Sequence, residues 1–146
     1  MNRDQITIVQ DTWQHVLPIA EVAADLFYDR LFELDPGVRD LFAKTDMSAQ
    51  KAKLLATLAS TIAGLNTSTT LLRDLEELGR KHAAYGVQPA HYAVVAEALI
   101  WTLEKGLGER WSDEAAKAWA AAYELIAGQM QKGANTHRNG DSRRAV

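Results

Sequence analysis

The chain has 146 residues, 47% hydrophobic and 24% charged, with a formal net charge of −3. These values fit one soluble domain with its own core and argue against a nucleic-acid partner, which usually selects a basic surface. The absence of cysteine excludes disulfides, thiolate nucleophiles and cysteine-ligated zinc or iron–sulfur sites.

The N-terminal MNRDQITIVQDTW is polar and periodic, unlike a signal peptide, and no apolar run reaches the ~18 residues of a membrane span. A cytoplasmic protein with no membrane partner is expected. Apolar residues recur at spacings of three and four and nowhere alternate as in a strand, which predicts an all-α fold of about seven helices.

The first helix is expected from about Asp4, its cap, to Leu17, with Pro18 near its end. Ile6, Val9, Trp13, Val16 and Leu17 form its inward face. A second, from about Ile19 to Leu34, buries Ala23, Phe27, Leu31 and Leu34, while Tyr28 and Phe32 widen that side. Asp35-Pro36 breaks it and opens a very short helix over Pro36–Phe42, carrying Val38, Leu41 and Phe42. Ser48 is expected to cap the next helix, which reaches about Leu65. Leu54, Leu55, Leu58, Ile62 and Leu65 face inward, Gln50 lies at the edge of that face and Lys53 just outside it. The run NTSTT at 66–70 reads as a loop.

In LLRDLEELGRKHAAYGVQPAHY (71–92), Leu71, Leu75, Leu78, His82 and Tyr85 share a stripe less than about 90° wide on a helix. Gly86 stops this helix and Gln88-Pro89 opens the next, which runs to about Leu107. Tyr92, Val95, Leu99 and Leu103 point inward there, Trp101 lies at a flank, and Gly106 and Gly108 end the helix. Ser112 or Asp113 caps the last helix, which continues through Trp119, Tyr123, Ile126 and Met130. Residues 1–134 make one domain, and 135–146 has so little to bury that a disordered tail is expected.

Of the four histidines, no two lie three or four apart, so the usual histidine-based zinc signatures are absent. There is no nucleophile elbow or phosphate-binding glycine loop, and Asp74, Glu76 and Glu77 read as a solvated face. His15 and His91 are expected to be exposed, and His137 lies in the tail. His82, in the middle of an apolar stripe, needs a partner for each ring nitrogen. Read alone, it suits a core imidazole bonded to backbone better than it suits a metal ligand. Tyr28 and Phe42 likewise suit ordinary core, and Gln50 a surface amide. Together they say more. A lone histidine ligand suits a haem, whose porphyrin supplies the other four donors. Broad leucine and aromatic faces suit a flat macrocycle, with few convergent polar residues opposite.

Three blocks carry a resemblance: FYDRLFELDPGVRDLF (27–42), SAQKAKLL (48–55) and LGRKHAAYGVQPAHY (78–92). In that order, within residues 3–132, the chain resembles the globin family, specifically bacterial single-domain haemoglobins related to the haem domain of flavohaemoglobins. The resemblance implies a globin fold around haem b, with His82 as proximal iron ligand and Phe42 wedged against the porphyrin. It makes Tyr28 and Gln50 the distal pair and Leu54 the residue overhanging the iron. Lys53 would reach a haem propionate, with Leu78, Val87 and Val95 as pocket wall. Tyr92 matches one member of a linked histidine–tyrosine–glutamate set, but Ala134 stands eleven residues after Tyr123, where the glutamate is expected. Glu124 lies on another face, so peroxidase-like reactivity is not expected.

The implied function is reversible binding of O2, NO and CO by a monomer or homodimer, with NO dioxygenation when a separate reductase supplies electrons. Each charge-assisted hydrogen bond to bound O2 would contribute ~1.5–3 kcal/mol, or about ten- to 150-fold in affinity. The alternatives are a haem-based gas or redox sensor acting through a partner protein, and an all-α domain in which His82 is only a buried histidine.

Overall fold

In the computed structural model of the chain, Asn2 starts the first helix, α1 (Arg3–Val16). Its side-chain oxygen accepts from the Gln5 N–H while Gln5 Oε1 accepts from the Asn2 N–H, a reciprocal capping box. The cap is therefore Asn2, and Asp4 sits inside the first turn, where a carboxylate suits the helix N-terminus. A single 3-10 turn, Leu17–Ile19, follows before α2 (Ala20–Leu34). Leu17 lies on this turn 43% exposed, and not in the core as its place on the α-helical stripe suggests.

Asp35 caps Pro36–Phe42 by accepting from the Gly37 N–H, as the Asp-Pro pair predicts, but the segment winds as a 3-10 helix. Asp46, not Ser48, caps α3 (Met47–Gly64), its carboxylate accepting from the Ser48 and Ala49 N–H groups. Helix α4 (Leu71–Ala84) ends before Gly86, whose φ of 100° reverses the chain, and α5 (Pro89–Leu107) begins three residues later. Gly106 stays within α5, and Gly108 alone ends it, at a φ of 54°. After a third 3-10 segment, Gly108–Arg110, Ser112 Oγ accepts from the Ala115 N–H and opens α6 (Asp113–Ala145). The side chains of residues 137–146, and Val146 entirely, lie outside the described residues; the backbone of the expected tail continues α6 as far as Ala145. Among the described residues there is no strand and no helix long and apolar enough to cross a membrane.

Two apolar clusters hold these helices together. One gathers Val9, Trp13, Val16, Ile62, Leu103, Leu107 and Trp119 from α1, α3, α5 and α6. Its two indoles lie 6.4 Å apart, and Trp119 Nε1–H donates to Thr12 Oγ1 at 2.9 Å, so the buried polar atom is satisfied. The other gathers Phe27, Tyr28, Leu31, Val38 and Ala98, with Phe42, Leu54 and Val95 packed against it.

Helix α4 rests on α6 almost backbone to backbone. A Cβ at Gly79 would lie 1.8 Å from the Met130 carbonyl oxygen, and one at Gly133 would lie 1.8 Å from the Glu76 carbonyl oxygen. On its other side α4 faces α3 across a crevice of about 320 Å³, lined by Ala56, Thr57, Ser60 and Thr61 from α3 and Asp74 and Leu78 from α4. The helix that carries His82 is thus anchored on one side by α6 and borders a crevice, one turn before His82, on the other.

Candidate functional site

His82 lies in the last turn of α4, half-buried, and its Nδ1 is 2.8 Å from the Leu78 carbonyl oxygen. A carbonyl only accepts, so Nδ1 carries the hydrogen and Nε2 keeps its lone pair. Burial pushes the imidazole below its ordinary range, partly opposed by the Leu78 bond and reinforced by the nearby Lys53 ammonium. The ring is neutral at pH 7, the protonation state in which imidazole ligates metals. Lys53 projects from α3, so this influence acts between two helices. The turn after His82 is fixed by main-chain bonds: the His82 carbonyl accepts from the Val87 N–H at 3.0 Å, and Gly86 supplies the positive φ.

A second group of the expected site residues is aromatic. Tyr28 is 3% exposed and packs edge-on against Phe27 at 5.0 Å and Phe42 at 5.6 Å between ring centroids. Phe32 closes the group 5.8 Å from Phe42. Gln50 Nε2–H donates to Tyr28 Oη at 3.1 Å. Burial raises the Tyr28 hydroxyl above its ordinary pKa and the Gln50 bond offsets part of that rise, so the phenol is neutral and keeps its O–H at pH 7. Because Gln50 fills an acceptor position on Oη, the one hydroxyl hydrogen is left for another acceptor.

The structure therefore joins Tyr28, Phe42, Gln50, Leu54 and Val95 in one group, and His82, Leu78 and Val87 in another, with Lys53 of α3 close enough to the imidazole to act on it. Leu78 contributes its carbonyl to His82 as well as lining the crevice. Tyr92, in the first turn of α5, belongs to a third grouping: its carbonyl accepts from Tyr123 Oη at 2.5 Å. Tyr123 is itself pushed far above the ordinary phenol range, first by burial and then by the neighbouring Tyr92. Ala134 is buried at 2%, so no carboxylate occupies that place in α6, and Glu124 is exposed.

Tyr85 departs from its expected place on the His82 stripe and is 66% exposed, because the helix ends one residue before it. His91 is half-buried and not open, since its Nδ1 accepts from the Gln88 N–H and caps α5. Leu31, Val38 and Ala98 also build the aromatic wall, and the glycines Gly79 and Gly133 set the seat of α4. A glycine three residues before His82 in a helix interior was the visible signal for the latter, but its partner on α6 had none. Among the described residues no group of three or more His, Asp or Glu side chains is placed to hold a bare metal ion.

Known proteins share this fold. The chain is 26% identical over 139 residues to neuroglobin of Danio rerio, covering 86% of this chain and 87% of that one. It is 34% identical over 103 residues to a flavohemoprotein of Bordetella pertussis, covering 69% of this chain but only 26% of the length of that protein. Among solved structures, a Pseudomonas aeruginosa protein described as highly homologous in structure to a human hemoglobin superposes with a TM-score of 0.79 at 22% identity. That match covers 88% of this chain and 97% of the other. A hexacoordinated heme protein from an anhydrobiotic tardigrade gives 0.82 at 15% identity, covering 92% and 96%. The family model described as Globin matches residues 25–130, most of the chain and both walls of the crevice, and the protein belongs to the globin family.

Proposed function

We propose that the protein is a haem b globin that reversibly binds O2 and other diatomic gases, NO and CO among them. One observation carries the reading: a neutral imidazole on the crevice helix whose Nδ1–H is tied to the Leu78 carbonyl, leaving Nε2 basic. A hydrogen-bond acceptor on the other nitrogen is the usual arrangement of a metal-ligating histidine. With no bare-ion cluster nearby, a ligand that brings its own four donors fits this lone nitrogen better than a free cation does.

His82 would hold the iron, Phe42, Leu54, Leu78, Val87 and Val95 would contact the macrocycle, and Lys53, at the rim of α3, would pair with a propionate. Haem iron supplies reversible binding of diatomic ligands and one-electron redox chemistry. The chain supplies the rest. The Leu78 carbonyl fixes the tautomer and the rotation of the imidazole. Gln50 orients the Tyr28 hydroxyl, and that hydroxyl donates a hydrogen bond to a ligand carrying partial negative charge. Leu54 and the aromatic cluster exclude water. NO dioxygenation is the cellular activity this pocket favours, given a separate reductase. The alanine at 134, in place of a carboxylate, points away from peroxidase-like chemistry.

Ferric and ferrous absorption spectra of the purified protein test the reading. A Soret band that shifts on reduction and again with CO is expected; its absence after haem supplementation would overturn the proposal. Mixing the oxygenated protein with NO and assaying nitrate, with a reductase present, then distinguishes dioxygenase from carrier.

A further inference from the structure

The seat of α4 on α6 is closer than its apolar side chains require. Two contacts make it, and they are reciprocal: Gly79 of α4 lies under the Met130 carbonyl of α6, and Gly133 of α6 lies under the Glu76 carbonyl of α4. At each point a Cβ would stand 1.8 Å from a main-chain oxygen, and neither oxygen belongs to a flexible side chain that can turn away. Both helices run through these positions without interruption, so no local kink relieves the approach. Glu76 and Gly79 are one turn apart on α4, as are Met130 and Gly133 on α6, so the crossing is fixed at two points along both axes. His82 is the next turn of α4 after Gly79, about 4.5 Å further along the helix.

We propose that Gly79 and Gly133 are positioning residues for His82. They set how far α4 stands from α6 and therefore how deep the imidazole reaches into the crevice on the other side. The proposal rests on the haem reading above. Any side chain at either glycine forces the helices apart by on the order of 1.5 Å before ordinary van der Waals separation is restored. The crevice side of α4 faces α3, the helix that carries Gln50, Lys53 and Leu54, so the displacement carries His82 toward α3. Leu78, whose carbonyl orients the ring, belongs to the same turn and moves with it. The tautomer and the Leu78 bond survive the change, and the position of Nε2 does not.

The test compares Gly79→Ala, Gly133→Ala and Gly128→Ala in the haem-loaded protein. Gly128 is in α6 with open space around the added methyl, so it controls for changing a helical glycine. Two quantities are read: the iron–histidine stretching band of the ferrous protein by resonance Raman, and the rate of haem transfer to an excess of an acceptor apoglobin. Gly79→Ala and Gly133→Ala are each expected to shift the band and to accelerate haem loss by about 10- to 100-fold, with Gly128→Ala matching the wild type. In a His82→Gly background with added imidazole, the iron ligand is no longer tethered to α4, so Gly79→Ala should leave the iron–imidazole band in place. A band that moves there too would overturn the proposal, as would a lower melting temperature with an unmoved band in the His82 protein.

If the alanine variants do not fold, hydrogen exchange in the haem-loaded wild type decides. Amides of Gly79–His82 and Met130–Gly133 should open together, with protection within about threefold of each other, and independent opening by more than about tenfold would overturn the proposal. A wild type without a Soret band overturns both this proposal and the haem reading. A normal wild type with normal variants overturns only this one.

Discussion

The two walls of the proposed site are built by different means. Tyr28, Phe42 and Gln50 come from α2, the Pro36–Phe42 turn and α3, and they meet through ring packing and one side-chain hydrogen bond. His82 comes from a single helix whose position is set by main-chain atoms of α6 and whose ring is oriented by a main-chain carbonyl. One wall can be edited one side chain at a time. The other can be moved only by moving a helix. Ligand affinity in this protein should therefore be adjustable from the distal side at little structural cost, while proximal changes affect the whole site.

The largest expected effect tests the proximal wall. His82→Ala should abolish haem retention, read as loss of the Soret band on gel filtration; an unchanged spectrum would place the ligand elsewhere. On the distal wall, Tyr28→Phe removes the hydroxyl proposed to donate to the ligand while keeping the ring in its aromatic cluster. O2 dissociation should accelerate at least about tenfold by stopped flow, and a change under twofold would mean that the hydroxyl points away.

Gln50→Leu is expected to have a smaller effect, about two- to tenfold, because Gln50 acts by orienting Tyr28. The double variant with Tyr28→Phe should then behave like Tyr28→Phe alone. Full additivity would show that Gln50 donates to the ligand independently.

The smallest effect lies outside both walls. Tyr123→Phe removes one hydrogen bond to the Tyr92 carbonyl and should cost about 1 kcal/mol, lowering Tm by roughly 2–4 °C with O2 kinetics unchanged. The same variant should alter the alkaline limb of stability. Burial raises the folded pKa of Tyr123 above that of the unfolded chain, so its contribution is fully present below about pH 10 and declines as pH rises toward the folded value. Wild-type stability should fall more steeply above pH 10 than that of Tyr123→Phe; parallel curves would remove Tyr123 as the source.

The sequence made the distal wall more legible than the proximal seat, for the same reason that the walls differ. Asp35-Pro36, Gly86 and Gln88-Pro89 are local signals with local causes, and the helices begin and end where they say. Periodicity placed Phe27, Leu31 and His82 on faces that do line the core or the crevice. Capping was misplaced by two residues at α1 and at α3 because Asn2 and Asp46 compete with Asp4 and Ser48 for the same role, and only the backbone geometry decides. Tyr85 fell on the stripe but beyond the helix end, where the stripe no longer has meaning. The pairing of Gly79 with Met130, and of Gly133 with Glu76, joins residues more than fifty positions apart, and nothing in a single sequence marks such a pair.

Glycine in a helix interior gives up about 0.5–1 kcal/mol relative to alanine, and α6 accepts this loss at both Gly128 and Gly133. Only Gly133 has a packing reason for it; around Gly128 a methyl group meets nothing within 4 Å. One helix therefore contains an immovable glycine and a dispensable one five residues apart, with opposite consequences for engineering. Gly128→Ala offers added heat resistance at no expense to the ligand site, whereas alanine at Gly133 would push α4 out of its seat.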